Sequence, residues 1–222
     1  MIFSFISHNI HQLCTFFSLK RITLGRMNYI KRNTKRIFDI TVVLFCMVVF
    51  LPLYLVCYLA IIIDDGHPVL FSQERIGYKG KVFKIYKFRT MRRDAEDMGP
   101  MLSNDNDIRL TRVGAYLRKH HLDELPQLWN VLKGDMSFVG PRPERKYFID
   151  KIMEHDPRYR YLYQIRPGVT SYATLYNGYT DTMEKMLRRL DLDLYYLEHR
   201  SWWFDAKILF MTFVNIVFGK VF

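Results

Sequence analysis

Between Ile40 and Ile63 the chain reads ITVVLFCMVVFLPLYLVCYLAIII, without a single charged residue. As a helix this run is long enough to reach across the hydrocarbon core of a bilayer. It is apolar around its whole circumference, which does not suit a helix that buries one face on a soluble core. Pro52 stands near its middle, where it removes a backbone hydrogen bond and crowds the preceding turn, so a kink is expected there. The flanks constrain the topology further. Lys31, Arg32, Lys35 and Arg36 precede the run; after Asp64 and Asp65 come Arg75, Lys79, Lys81, Lys84, Lys87, Arg89, Arg92 and Arg93. A spanning helix carries its Lys/Arg excess on one side, whereas here both sides are basic. A helix broken at Pro52 that enters and leaves by the cytoplasmic face satisfies both flanks; a kinked ordinary span is the alternative.

The first 26 residues, MIFSFISHNIHQLCTFFSLKRITLGR, lack the basic start and the small-x-small cleavage site of a secretory signal. They read as an interfacial amphipathic helix, or as an upstream extension with Met27 as a second possible start. The expected organisation is an N-terminal extension over 1–30, a re-entrant membrane helix over 31–66 and a cytoplasmic or interfacial domain over 67–222.

The net charge of +11 over 222 residues calls for an anionic partner: nucleic acid, an anionic membrane or a phosphorylated substrate. Hydrophobic residues make up 50% of the chain, which excludes a disordered polycation. Cys14, Cys46 and Cys57 form no C-x-x-C pair, so small buried hydrophobes in a reducing compartment are expected rather than a disulfide framework.

The remaining pattern is α+β and mainly helical. PVLFSQERIG and KVFKIYKFRTM read as two strands of a hairpin turning at Gly77–Gly80, and RRDAEDMGPMLSNDNDIR as a polar loop. TRVGAYLRKHH is a short helix with Thr111 near its cap. DELPQLWNVLKG is a second, with Asp123 at the cap, Pro126 in the first turn and Gly134 as its stop. RPERKYFIDKIMEHD is a third. DTMEKMLRRLDLDLYYLEHRSWWFDAKILFMTFVNIVF supplies one or two long amphipathic helices, whose last apolar run, Ile208–Phe218, suits an interface rather than a span.

Asp123 and Glu124 are adjacent acids in this basic chain. Acids at a helix start need no more explanation than the dipole they face. Neighbours on a helix do not face each other, so they cannot flank one bond as a glycosidase pair does. They can divide labour: one carboxylate aims at an electrophile while the other holds a cation. A helix N-terminus favours phosphate and an ionised Asp123. Mg²⁺ on Glu124 would neutralise a diphosphate, since Mg²⁺ favours one or two carboxylates plus phosphate oxygens. Arg142, locked between Pro141 and Pro143, is a positioned guanidinium for phosphate oxygens; Arg118 and Lys87 are further phosphate-binding candidates.

The segments KRIFD, FSQERIGYKGKVFKIYKFRTM, TRVGAYLRKHHLDELPQLWNVLKGDMSFVGPRPE and RPGVTSYATLYNGYT resemble the bacterial sugar transferase family, over about Lys35 to Leu209. These are monotopic phosphoglycosyl transferases that prime cell-surface glycan assembly. The resemblance implies a re-entrant helix broken near the proline and interfacial helices at the bacterial inner membrane. It implies Asp123 as the nucleophile on the β-phosphate of a UDP-sugar, Glu124 as the Mg²⁺ ligand, and Arg118, Arg142 and Lys87 as phosphate-binding groups. UMP would leave, and undecaprenyl phosphate would resolve an aspartyl phospho-sugar intermediate with ping-pong kinetics. RPGVTSYATLYNGYT is expected to touch nucleotide or sugar, through Arg166, Thr170 and Asn177. It departs from the family's common T-G-x-x-Q-V-N-G-R, with Ser171 for Gly, Thr174 for Gln and Tyr179 near the usual Arg. The short chain leans towards an N-acetylated hexosamine over glucose or galactose. His120 and His121, where the family often has small polar residues, are read as peripheral.

Two rivals remain at this level. A membrane-attached scaffold for anionic lipid or RNA accounts for the charge, although no RNP pattern supports nucleic acid as the partner. A hydrolase would let water resolve the aspartyl intermediate.

Overall fold

Pro52 has no N–H to offer the carbonyl one turn back, and the apolar run divides just ahead of it. Helix α1 (Arg32–Val49) ends at Phe50, and α2 (Leu51–Asp65) begins with Pro52 in its first turn. In this computed structural model, which describes residues 32–95, 107–178 and 180–218, the two helices are bent by 61°. No single helix among the described residues is long and apolar enough to cross a membrane; only the bent pair passes by length and composition. The expected extension over 1–30 and the centre of the polar loop, 96–106, lie outside the described residues, as does Tyr179.

The pair is bound to the body by polar contacts as well as packing. Arg36 donates to the carbonyls of Val131 and Leu132 at 2.5 and 2.7 Å, Lys35 pairs with Asp205, and Asp39 accepts from the Phe138 amide. Cys57 and Ile61 of α2 pack with Val69, Phe88 and Leu117, while Val43 of α1 packs with Ile85, Val131 and Met136. The opposite faces stay uncovered: Phe45 is 68% exposed, Val48 74% and Leu51 65%.

The expected hairpin is present. Strand β1 (Leu70–Ile76) pairs antiparallel with β2 (Val82–Phe88), in register from Leu70–Phe88 to Ile76–Val82. Helix α3 (Arg112–Lys119) starts at Thr111, whose hydroxyl accepts from the Gly114 amide. Helix α4 (Gln127–Lys133) corrects the sequence reading. Its N-cap is Pro126, and Asp123 lies one turn earlier in a separate 3₁₀ turn, Leu122–Glu124. Proline has no N–H to donate to Leu122, which leaves that carbonyl without the donor an α-helical turn would supply. The chain uses shorter bonds instead, Leu125 N to Leu122 O and Leu128 N to Leu125 O.

The third expected helix is α5 (Lys146–His155), followed by a 3₁₀ stretch, Pro157–Gln164. The long C-terminal pattern resolves into two helices, separated at Arg200 and Ser201. After the short α6 (Tyr172–Asn177) come α7 (Met183–His199) and α8 (Trp202–Val217). On α8, Trp203, Phe210 and Phe213 are exposed, while Ile208 packs inward on Val139 and Tyr196.

A second sheet was not foreseen. Strands β3 (Ser137–Val139) and β4 (Gly168–Thr170) form a two-stranded parallel pair. It requires glycine on both sides: a Cβ on Gly140 would lie 2.3 Å from the Arg166 carbonyl oxygen, and one on Gly168 would lie 2.1 Å from the Gly140 nitrogen. This close approach delivers the chain into Pro141–Arg142–Pro143.

Candidate active site

Four short segments meet around one pocket of about 490 Å³. The first is the end of β2, carrying Lys87. It is stitched to α4 by Asn130, fully buried, whose amide donates to the Lys84 carbonyl at 2.7 Å and accepts from the Tyr86 amide at 3.0 Å. The second is α3, which buries Leu117 and presents Arg118 in its last turn. The third is the 3₁₀ turn with Asp123 and Glu124. His121 enters it with φ 54°, a left-handed conformation that non-glycine residues adopt at a cost of roughly 1 kcal/mol. The fourth is the Pro-Arg-Pro segment, anchored where Gly168 N donates to Pro141 O at 2.9 Å and Arg75 donates to Pro143 O at 3.3 Å.

Lys87 Nζ lies 2.6 Å from Glu124 Oε1 and 3.8 Å from Asp123 Oδ2, and Arg142 Nη2 lies 3.5 Å from the same Glu124 oxygen. Arg118 faces the pocket too, with its buried Nη1 lacking a hydrogen-bond partner. Burial pushes the Asp123 carboxyl up to about 6, against the pull of Lys87, Arg118 and Arg142. Glu124 is also penalised by burial, but Lys87 and Arg142 outweigh it and hold that carboxyl down at about 2. These cations, rather than a helix N-terminus, keep the pair ionised near neutral pH.

Nine Lys/Arg side chains and three carboxylates line the pocket. That excess favours an anionic ligand and disfavours a cationic or purely apolar one. An ionised carboxylate beside a group of fixed cations can act as an oxygen nucleophile towards phosphorus, because the cations offset the charge repulsion of approach.

Among the described residues no cluster of three or more His, Cys, Asp or Glu side chains could hold a metal. The donor set suits Mg²⁺ in a narrower way. Glu124 is a hard, ionised oxygen donor beside Asp123, and Mg²⁺ commonly takes one or two carboxylates and completes its shell with water and substrate phosphate.

Lys87, Arg118, Asp123, Glu124 and Arg142 are therefore brought together. Arg166, Thr170 and Asn177 lie outside the pocket lining and make other contacts. Arg166 donates to the Gly134 carbonyl at 2.8 Å, Thr170 bonds Thr212 at 2.7 Å, and Asn177 donates to the Lys185 carbonyl at 2.8 Å. His121, read as peripheral, lines the pocket, whereas the His120 ring packs on Tyr116 at 4.5 Å. Sequence reasoning missed Gln73, Arg75, Glu144, Arg189 and Thr180 as lining residues. The Pro-Arg-Pro-Glu run was the one signal that could have pointed to Glu144.

Residues 30–219 match the bacterial sugar transferase family. The chain belongs to that family. Among sugar transferases it is 40% identical over 185 residues to the UDP-N-acetylgalactosamine-undecaprenyl-phosphate N-acetylgalactosaminephosphotransferase of Aeromonas hydrophila, covering 83% of this chain and 44% of that protein. It is 38% identical over 192 residues to the UDP-glucose:undecaprenyl-phosphate glucose-1-phosphate transferase of Escherichia coli K12, covering 84% and 41% respectively. It is 42% identical over 187 residues to the exopolysaccharide production protein PSS of Rhizobium leguminosarum bv. phaseoli, covering 82% and 94%. The chain thus spans less than half of the first two sugar transferases and nearly all of the third. Near-equal identity to proteins named for different sugars means that overall similarity does not select the sugar.

Proposed function

We propose that this protein transfers a sugar 1-phosphate from a UDP-sugar to undecaprenyl phosphate and releases UMP. The observation carrying this reading is the buried Asp123 carboxylate, sharing a strongly cationic pocket with Glu124, Lys87, Arg118 and Arg142. The names of its relatives supply the substrate classes.

In the first step an Asp123 oxygen attacks the β-phosphorus. The bond from that phosphorus to the bridging oxygen breaks, and UMP departs with the electron pair. The product on the protein is an acyl phosphate bearing the sugar. In the second step an oxygen of the lipid phosphate attacks the same phosphorus, and the Asp123 carboxylate leaves. Lys87, Arg118 and Arg142 grip the phosphate oxygens and offset the charge that gathers in each transition state. Glu124 would hold a Mg²⁺, which would supply further charge neutralisation. Separation into two displacements gives ping-pong kinetics.

The acceptor accounts for the apolar surfaces. The helix pair, with both flanks basic, dips into the cytoplasmic leaflet of the inner membrane and returns. The exposed aromatic face of α8 rests on the interface, where Trp and Phe partition well. The product is then made at the bilayer surface, and the reaction primes assembly of a capsule, exopolysaccharide or other glycoconjugate.

Purified protein incubated with Mg²⁺, undecaprenyl phosphate and a panel of UDP-sugars tests this. UMP and a lipid-linked product form together with at least one sugar. Absence of lipid product with every sugar sinks the reading in favour of a lipid- or RNA-binding role. Multiple-turnover UMP release without lipid indicates a hydrolase, whereas a single stoichiometric burst is the acyl phosphate forming.

A further inference from the structure

Lys87 and Arg118 each have a neighbour in sequence that packs on α2. Phe88 and Leu117, 1% and 2% exposed, share one apolar cluster with Cys57 and Ile61 of that helix. Side chains alternate along a strand, so with Phe88 turned to α2 the preceding Lys87 is turned to the pocket. Polar contacts fasten the same junction at the C-terminal end of α2. The Arg89 guanidinium donates through Nη2 to the carbonyls of Asp65 and Gly66 at 2.9 and 2.8 Å, and pairs with the Asp65 carboxylate at 2.8 Å. On the other side the Asp64 carboxylate accepts from the Val113 amide at 2.9 Å, in the first turn of α3. We propose that the end of α2 is a positioning element for the reaction: through Arg89 it holds Lys87, and through Asp64 it holds Arg118, against the reacting phosphate.

Arg89 is 7% exposed, and its Nε and Nη1 have no partner, so among the described residues its side-chain polar contacts all go to the end of α2. Its backbone N–H continues the hairpin ladder two residues beyond Lys87, donating to the Val69 carbonyl at 2.8 Å. A helix C-terminus leaves its last carbonyls without intrahelical donors. A guanidinium there answers both the open acceptors and the negative end of the dipole. Arg93 adds one longer bond, 3.2 Å to the Asp65 carbonyl. Asp64 does the converse at the start of α3, where free amides and the positive end of the dipole favour a carboxylate beside the Thr111 cap. Between β2 and α3 there is no slack. Thr111 N donates to Thr90 O at 3.0 Å, and a Cβ on Gly114 would lie 2.0 Å from that same oxygen. A shift at the end of α2 is therefore passed to both cations rather than absorbed between them.

The inference rests on Lys87 and Arg118 contacting phosphate in the proposed reaction, and the burst of UMP formed without acceptor separates the two claims. At saturating UDP-sugar the rate constant of that burst, unlike its amplitude, does not depend on how much of the protein is folded. It is measured on the full chain with Mg²⁺ for Arg89→Met, Lys87→Met, Arg89→Met/Lys87→Met, Asp64→Ala and Asp64→Asn. Arg89→Met slows the burst about ten- to a hundredfold, the scale of a misplaced contact group. The double variant is no slower than Lys87→Met to within about threefold, since a residue acting through Lys87 has nothing left to position. Asp64→Ala slows the burst about three- to tenfold, whereas Asp64→Asn, which keeps an acceptor oxygen for the Val113 amide, stays within about twofold of the parent. Should Arg89→Met fail to fold, the exposed Asp64 carries the test, with Arg118→Ala as its partner in the cycle. Losses that multiply in full, or variants at both positions as fast as the parent, overturn the positioning role and leave the phosphate contacts standing. An unchanged burst in Arg89→Met with a raised KM for undecaprenyl phosphate also overturns it, by making Arg89 a contact of the acceptor. A Lys87→Met burst as fast as the parent's, or a parent without a burst, fails the proposed reaction itself, and the positioning role falls with it.

Discussion

Lys87 Nζ is shared by two adjacent carboxylates, 2.6 Å from Glu124 and 3.8 Å from Asp123. The nearer acid becomes a strong one and the farther acid a weak one, so a single ammonium helps to divide their chemistry. Glu124 is ionised at any working pH. Asp123 sits close enough to neutrality for its proton to be felt in the reaction.

Replacement of Asp123 by Asn abolishes transfer and stabilises the fold. A carboxyl with an ordinary value of 3.8, raised to about 6 in the folded protein, keeps its proton there when the unfolded chain has lost it. Its stabilising contribution is present at low pH and is lost as pH climbs between those values. At pH 7 the ionised side chain is a burden of up to about 3 kcal/mol, at 1.36 kcal/mol per pKa unit. Expected are a fall in UMP release of at least about 10³-fold and a higher thermal midpoint at pH 7. An active variant ends the nucleophile assignment.

Lys87→Met removes the cation that opposes the burial of Asp123. Single-turnover UMP release for the parent loses rate on the acid side near pH 6, where Asp123 becomes protonated. In the variant this limb moves to higher pH, and the plateau drops by about 10²–10³-fold, the usual loss for one charge-stabilising donor. An unmoved acid limb places the controlling titration elsewhere.

Gly140→Ala puts a Cβ 2.3 Å from the Arg166 carbonyl oxygen and 2.8 Å from the Gly168 nitrogen, both of them backbone atoms that cannot turn aside. The β3–β4 pair must open and carry Pro-Arg-Pro with it. Denaturant unfolding is expected to show a loss of about 1–3 kcal/mol, the range for overpacking, with transfer impaired even where the protein remains folded. Retention of both stability and rate rules out the close approach.

The course of the helix pair is read by labelling. With Cys14, Cys46 and Cys57 replaced, single cysteines at the exposed positions Thr34 and Lys81 both react from the cytoplasmic side and neither from the periplasmic side. Reaction from opposite sides establishes a span in place of a re-entrant hairpin.

Local patterns carried much of the fold into view. Helices α3 and α5, the β1–β2 hairpin and the break beside Pro52 each follow from a cap, a turn or a missing N–H within a few residues. The parallel β3–β4 pair did not show, because three-residue strands have no readable period and their pairing joins segments about thirty residues apart. The start of α4 was misplaced because Pro126 suits a first helical turn equally well as its own N-cap. Arg166, Thr170 and Asn177 looked available for ligand in a motif, and each makes a hydrogen bond within the fold, to Gly134, Thr212 and Lys185.

By itself the sequence determined that Asp123, Glu124 and Arg142 stand in a motif suited to phosphate, beside an apolar run kinked by proline. Those features are encoded by neighbours along the chain. Tertiary structure alone decided that Lys87 bridges the two acids, that burial raises Asp123 while cations lower Glu124, and that Arg75, Glu144 and Arg189 brace the segment that carries Arg142. Charge strength depends on burial and on distance through space, and neither quantity exists until β2, the Leu122–Glu124 turn and the Pro-Arg-Pro segment have packed together.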